Sequence, residues 1–278
     1  MFQKISLPVI RVLGLMLLIS AVFFCTAPVM ADEKLSISGS TTVLPIASAA
    51  AEAFMKNHPD VDVQVSGGGS GAGIKAIGEG AVTLGMSSRE LKSEEKTAYP
   101  DLKTVTVAKD GIAVIVNKDN PVNSLTLEQI KKIYNGNTTG WADVGGSSGK
   151  IEIVGRDSAS GTREFFSEKV MNKEDFTKFM LEKNSNGAVQ QYVTQTPNSI
   201  GYVGMGFEDG VKVIELKGDD GKTQIPTIES VKAGTYPLSR ELFFVTKGDA
   251  TGVAKEFIDF LLSPDGQKII EEQGFVGL

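Results

Sequence analysis

The apolar positions along the chain predict short strands alternating with amphipathic helices. Leu35 to Ser38 reads as a strand, and Thr42 to Asn57 as a helix with Val43, Ala47, Ala50 and Phe54 on one face. Pro45 fits the first turn of that helix, where a missing N–H does little harm. Val61 to Val65 alternates apolar and polar residues and predicts a second strand. A glycine-rich turn, Gly67 to Gly73, leads into a short helix from Ile74 to Ile77, and Leu84 to Ser87 is a further short strand. Ile112 to Val116 predicts a buried strand, and Leu127 to Tyr134 a helix ended by Asn135-Gly136. Ile151 to Val154 follows as a strand, Gly161 to Val170 as a helix, Gly187 to Thr194 as a helix and Ile200 to Val203 as a strand. Leu242 to Thr246 predicts the last strand and Val253 to Leu262 the closing helix. This alternation predicts an α/β fold with largely parallel sheets. The phenylalanines Phe165, Phe166, Phe176, Phe179, Phe243, Phe244, Phe257 and Phe260 fall at helix or strand spacing and are expected in the core. Trp141 follows Thr138-Thr139-Gly140 in a loop, expected at the surface.

The first residues break this pattern. Lys4 and Arg11 precede an apolar run from Val12 to Phe24, and Val29-Met30-Ala31 offers a small-residue cleavage site. That order predicts a secretory signal peptide over residues 1–31, cleaved after Ala31. The apolar run falls short of the roughly 20 residues a membrane span needs, which favours a signal over an uncleaved anchor. Cys25 raises lipidation as a third option, but Val22-Phe23-Phe24 is too bulky to precede a lipidated cysteine.

Removing 31 of 278 residues leaves a chain long enough for one large domain or two lobes. It keeps no cysteine, which excludes a disulfide or a thiolate metal site. The signal holds two basic and no acidic residues, so cleavage makes the formal charge of −6 still more negative. No long-range field then draws nucleic acid or an anionic membrane to the protein.

Three segments share one design: a strand, then small hydroxyl or glycine residues, then a helix. They are Ser38-Gly39-Ser40-Thr41-Thr42, Ser66-Gly67-Gly68-Gly69-Ser70-Gly71-Ala72-Gly73, and Gly155-Arg156-Asp157-Ser158-Ala159-Ser160-Gly161-Thr162. A helix N-terminus leaves N–H groups unpaired and carries partial positive charge, and small residues let an anion approach it. Each segment has an ordinary reading as well, since Ser and Thr cap helices and glycine runs make turns. An anion site requires the three to converge, and in open α/β sheets ligands sit beyond the carboxyl ends of strands, where these turns lie. Arg156 is the one full positive charge in the three loops, and its planar fork matches two oxygens of a tetrahedral oxyanion. Asp157 is placed either to hold the Arg156 side chain or to serve as a helix N-terminal carboxylate.

Catalytic raw material is scarce. The glycine-rich loop lacks the Gly-Lys-Ser/Thr ending of a nucleotide-binding P-loop. Gly68-Gly69-Ser70-Gly71-Ala72 lacks the final glycine of a nucleophile elbow. The only histidine, His58, stands before Pro59 where a helix should end, which marks it as a terminal surface residue. Ser-His-Asp, Cys-His and histidine-rich metal sites therefore have almost nothing to be built from. No cofactor and no metal are expected.

The ordered set of motifs resembles the phosphate-binding proteins of the phosphate-specific ABC importer. The matching stretches are Ile37 to Thr42, Gly68 to Ile74, Gly85-Met86-Ser87-Ser88-Arg89-Glu90-Leu91, Gly155 to Arg163, and Thr196-Pro197-Asn198-Ser199-Ile200-Gly201-Tyr202-Val203-Gly204. The resemblance covers essentially the whole chain after the signal. It implies a two-lobed periplasmic-binding-protein fold of type II, each lobe a mixed sheet flanked by helices, with the ligand in the cleft between them. Crossings near Val116 to Pro121 and Tyr236 to Arg240 would make lobe one residues 32–116 plus 238–278 and lobe two residues 117–237. Ser40, Thr41, Thr42, Ser70 and Ser88 would line the cleft from lobe one, and Arg156, Ser160, Gly161 and Thr162 from lobe two.

The resemblance further implies a non-enzymatic, periplasmic, monomeric protein that binds inorganic phosphate and hands it to membrane subunits of an importer. One departure matters. Family members often carry an aspartate in the turn that reads here as Ser87-Ser88, where it accepts a hydrogen bond from a phosphate proton. Ser88 can accept as well as donate, so phosphate remains compatible, while the barrier against sulfate is weaker. Arg89 is expected either to reach the ligand or to pair with Glu90 or Glu94. A binding protein for sulfate or molybdate, and a phosphate-ester hydrolase, stand as alternatives.

Overall fold

Alternating burial along the first strand sets the frame. In a computed structural model, which describes residues 33–278, β1 (Glu33–Gly39) turns Leu35 and Ile37 fully inward. The signal peptide, its cleavage after Ala31 and the Cys25 alternative lie outside the described residues. Helix α1 (Leu44–Asn57) packs Ile46, Ala47, Ala50 and Phe54 against the sheet. β2 (Val61–Ser66), α2 (Ser70–Gly78) and β3 (Leu84–Ser87) follow, and then the short α3 (Ser93–Ala98). β1 pairs in parallel with both β2 and β3, so the loops leaving all three strands emerge at one edge.

β4 (Leu102–Asn117) is 16 residues long, far beyond the five-residue strand that its apolar run predicts. Its first half lies outside that run and carries a separate alternation of polar and apolar residues, with Val105 and Val107 between Thr104, Thr106 and the flanking lysines. β5 (Ser124–Leu125), α4 (Leu127–Tyr134), β6 (Glu152–Arg156) and α5 (Gly161–Lys169) come next. They are followed by β7 (Leu181–Lys183), α6 (Asn186–Gln195), β8 (Ser199–Gly204), β9 (Val211–Val213), β10 (Glu215–Lys217) and β11 (Thr223–Gln224). The chain ends with α7 (Ile228–Lys232), β12 (Ser239–Lys247), α8 (Gly252–Leu262) and α9 (Pro264–Glu272). The closing helix is therefore α9 and not α8: Ser263 ends α8 and caps α9, accepting from Gly266 N at 3.3 Å.

Nine of the strands form one sheet, in the order β2-β1-β3-β12-β4-β8-β6-β7 with β9 added on β4, and β11-β10-β5 form a second, small sheet. The outer ladders are parallel, but β3–β12, β12–β4 and β4–β8 are antiparallel. The expectation of largely parallel sheets is corrected there. Strand–helix alternation governs the outer ladders, whereas β4 and β12 are hydrogen-bonded neighbours running in opposite directions with no helix between them. β4 pairs with β12 from Leu102 to Gly111 and with β8 from Ile112 to Val116. The change of partner is braced by Tyr236, whose hydroxyl donates to Ile112 O at 2.7 Å.

The aromatics are mostly core, as their spacing predicts. Phe166 stacks on Tyr202 at 4.0 Å, with Tyr134 edge-on at 4.9 Å. Phe179 departs from that expectation at 70% exposed, and Trp141 departs in the opposite sense, buried with Nε1 donating to Asn198 O at 2.9 Å. His58 ends α1, stacked 3.9 Å from Phe54.

Candidate functional site

The three hydroxyl- and glycine-rich loops meet. From the β1–α1 loop, Thr42 Oγ1 lies 3.1 Å from Thr162 Oγ1 at the start of α5. From the β2–α2 loop, the Gly71 N–H donates to Ala159 O at 3.0 Å, just before α5. Gly69 has a φ of 96°, and a Cβ there would stand 2.5 Å from Ala159 O, so glycine alone permits this approach. Ser70 opens α2, and its hydroxyl accepts from Ser88 N at 3.0 Å and lies 3.3 Å from Ser88 Oγ. Gly161 presses against that pair: a Cβ on it would sit 2.4 Å from Ser70 Oγ.

Ser40, Thr41, Thr42, Ser70, Ser88, Arg156, Ser160, Gly161 and Thr162 are all buried. They do not all present themselves in the same way. Ser40 Oγ accepts from Thr42 N and Val43 N, and Ser160 Oγ caps α5 by accepting from Arg163 N at 3.1 Å. Both hydroxyls retain a hydrogen to donate. Thr41 Oγ1 takes a 3.2 Å bond from Asn186 Nδ2.

Arg156 ends β6 and is 1% exposed. Its Nε donates to Lys183 O at 3.2 Å and its Nη2 to Asn184 O at 3.1 Å, while its backbone N–H donates to the Tyr202 hydroxyl at 3.2 Å. Nη1 makes no protein hydrogen bond among the described residues. Burial pulls its pKa down to about 10, opposed by the nearby Asp157 charge and Tyr202 and reinforced by Arg240. It stays cationic at neutral pH. Asp157 acts on it through space, and Asp157 Oδ1 is buried with no hydrogen-bond partner among the described residues.

Arg89 pairs with neither Glu90 nor Glu94. Its guanidinium forks onto Glu95 at 2.8 and 2.7 Å, and Nε lies 2.9 Å from Glu164 Oε2, off the N–H axis. Its Nη1 also donates to the Glu90 backbone carbonyl.

Three residues were not legible as site residues in the loops. Arg240, near the start of β12, donates through Nη2 to Thr42 Oγ1 at 3.3 Å and Thr162 Oγ1 at 3.0 Å, and through Nη1 to Ser88 O at 3.2 Å. Asp110 in β4 is 0% exposed and receives Arg240 Nε and Nη2 at 2.8 and 2.6 Å. Asn186, at the start of α6, donates to Thr42 Oγ1 at 2.9 Å. The signal for Asp110 was available: a lone carboxylate heading the apolar run Ile112 to Val116 must be paired. Burial raises the Asp110 pKa, against the pull of Arg240. Among the described residues no group of three or more His, Cys, Asp or Glu side chains is placed to hold a metal.

An α/β path of two parallel ladders, joined by long antiparallel strands and holding buried donors at converging helix starts, is a fold for gripping small anions. The sequence profile of the PBP superfamily domain matches residues 27–265. A Bacillus subtilis phosphate-binding protein, PstS, is 38% identical over 88% of this chain and 81% of its own length. A Clostridium perfringens substrate-binding protein assigned to a phosphate ABC transporter, solved with phosphate bound, superposes with a TM-score of 0.83. It is 40% identical, over 88% of this chain and all of that one. An ABC-type phosphate transport receptor of Vibrio cholerae is 36% identical with a TM-score of 0.71, over 88% of this chain and all of its own. The chain belongs to the PBP superfamily and, within it, to the family of PstS phosphate-binding proteins.

Proposed function

We propose that the protein binds inorganic phosphate among the loops that meet at Thr42 and Thr162 and delivers it to the membrane subunits of an ABC-type importer. It is a binding protein and not an enzyme, as its family membership states. The observation that carries the reading is the 3.1 Å approach of Thr42 to Thr162 beside a buried guanidinium, because it joins two loops that sequence alone could only align.

The mechanism follows from the donors. Ser40, Thr41, Thr42, Ser70 and Ser88 hold the anion from one side, and Arg156, Ser160, Gly161 and Thr162 from the other. Neutral N–H and O–H groups disperse the charge, and a hydrogen bond to a charged group contributes roughly 1.5–3 kcal/mol. Micromolar affinity needs about −8 kcal/mol, so several such bonds leave a surplus that offsets desolvation of the anion and closure. Lobe one is residues 32–116 plus 238–278 and lobe two residues 117–237 in this reading, with β4 and the approach to β12 carrying the hinge. The protein works as an exported monomer, cleaved after Ala31 and held in the periplasm.

Calorimetry on protein stripped of endogenous anion, against phosphate and sulfate at two pH values, tests the reading. Micromolar or tighter phosphate binding with weaker sulfate binding is expected. Equal or tighter binding of sulfate would overturn it. The Ser87-Ser88 turn makes that comparison informative: Ser87 Oγ donates to Arg89 O at 2.7 Å, and no carboxylate stands in the turn.

A further inference from the structure

The buried charges around the hydroxyl cluster do not balance. Arg156 and Arg240 are 1% and 7% exposed, and Asp110 is the only carboxylate buried to the same degree among the described residues. Asp110 is spent on Arg240, taking Nε and Nη2 on one oxygen, while its other oxygen accepts from Met205 N at 3.0 Å. Arg156 is left with only the through-space charge of Asp157, which makes no hydrogen bond to it, and a buried cation without a hydrogen-bonded counter-charge is unfavourable unless something negative completes it.

The two guanidinium groups are placed differently. Arg156 gives two of its three nitrogens to the carbonyls of Lys183 and Asn184. Arg240 instead points Nη2 at Thr42 and Thr162, one hydroxyl from each side of the cluster, and Nη1 at Ser88 O. Arg240, unlike Arg156, also lines a cavity of about 410 Å³ whose wall carries the carboxylates of Glu90, Glu164, Glu168 and Glu241 as well as basic side chains. A hydroxyl oxygen that accepts from Nη2 is a weak substitute for an anionic oxygen, which makes a bond roughly twice as strong.

We propose that Arg240 is a direct ligand of the bound anion, that Asp110 is its positioning residue, and that the pair helps set which anion is accepted. The assignment rests on the phosphate reading and deepens it. Asp110 fixes the fork through two bonds and lowers the net charge of the cluster by one. It thereby supplies, one guanidinium away, the negative charge that the Ser87-Ser88 turn lacks. A fully ionised dianion is disfavoured relative to an anion that keeps a proton and can donate it to a hydroxyl such as Ser88.

The test is calorimetry of phosphate and sulfate on the full chain and on Arg240→Lys, Asp110→Asn and the double variant Arg240→Gln/Asp110→Asn. The double variant removes both charges together, so it avoids a buried unpaired carboxylate. Circular dichroism establishes that each variant is folded. Phosphate affinity is expected to fall at least 30-fold, as an order of magnitude, in the double variant and about tenfold in Arg240→Lys, which keeps the charge but loses the fork. Asp110→Asn is expected to shift the sulfate-to-phosphate affinity ratio toward sulfate by about fivefold or more. A structural role alone would not move that ratio. Phosphate affinity within about threefold of the unaltered protein in both Arg240 variants would overturn the ligand assignment, and an unchanged ratio in Asp110→Asn would overturn the positioning role. Failure of the unaltered protein to bind phosphate would sink the underlying reading and this assignment with it.

Discussion

Thr42 and Thr162 stand 120 positions apart in the chain, and their Oγ1 atoms stand 3.1 Å apart in the structure. One hydroxyl follows β1 and the other opens α5, so the contact closes the molecule across the cluster. Asn186 and Arg240 both donate to Thr42, which makes that oxygen the shared acceptor of groups from two separate segments. A tetrahedral anion offers more acceptor sites than one hydroxyl, and each donor that now converges on Thr42 has a better partner in it.

Gly161 is packed directly against the hydroxyls of the cluster. A Cβ there would lie 2.4 Å from Ser70 Oγ and 2.9 Å from Ser88 Oγ. Gly161→Ala is expected to push α5 away from α2 and to weaken phosphate binding by at least tenfold, with an overpacking cost on the closed form of roughly 1–3 kcal/mol. Calorimetry with a parallel urea titration reads both. Unchanged affinity would mean that the halves do not close on the ligand as drawn.

Charge should outweigh any single hydroxyl. Arg156→Ala removes a buried cation and takes a donor from Asn184 O and from Lys183 O, the latter keeping the Asp157 N–H at 3.1 Å. Ser70→Ala removes one hydroxyl that already has Ser88 as a neighbour. The arginine variant is expected to lose about 100-fold or more in phosphate affinity and the serine variant about tenfold, following the larger contribution of charged hydrogen bonds. Equal losses on titration with phosphate would contradict the order.

Much of the architecture is legible in the sequence. The Leu127 to Tyr134 helix has the predicted bounds: Asn135-Gly136 stops it as read from the sequence, and the structure adds a capping box on Thr126 that starts it. The loops around Ser40, Ser70 and Ser160 could be read because small residues before a helix leave a local signature. Arg240 left none, and Asp110 left only a lone carboxylate ahead of an apolar run, since their pairing is made by β12 lying beside β4, a contact 130 positions apart. Asn186 was hidden for the same reason: its partners Thr41 and Thr42 come from the opposite end of the chain. The short strands β5, β10 and β11 form a small separate sheet whose two- and three-residue lengths carry no periodicity.

Glu164 ties the two sides of the cluster at its rim. Its carboxylate lies 2.9 Å from Arg89 Nε and 2.9 Å from Lys92 Nζ, both of which follow β3, while Glu164 itself sits on α5. Glu164→Gln keeps the shape and removes the charge. Phosphate release is expected to speed up about threefold to tenfold, the range for a partly exposed ion pair of roughly 0.7–1.4 kcal/mol, and the difference should shrink at high salt. Stopped-flow fluorescence of a protein labelled beside the cluster reads the rate. A release rate that matches the unaltered protein at low salt would show that these charges do not hold the closed form.

Glu208 should impose a pH dependence on stability that is separate from binding. Burial raises its pKa to about 7, and the Asp110 and Asp209 charges add to the rise. Its Oε1 is buried with no hydrogen-bond partner among the described residues, so nothing nearby favours the ionised form. In the unfolded chain the same carboxyl titrates near 4.3. Between about pH 4.3 and 7 the folded protein therefore holds a proton that the unfolded chain has released, and stability falls as pH rises through that window. The contribution is fully present below the unfolded value and lost above the folded one, with an upper bound of roughly 4 kcal/mol from a shift of this size, reduced by solvent screening of a partly exposed side chain. Urea unfolding at pH 5, 6, 7 and 8 should show the decline in the unaltered protein, and Glu208→Gln should flatten it while raising stability at pH 8. A pH profile that is identical in the two proteins would place the Glu208 carboxylate in water.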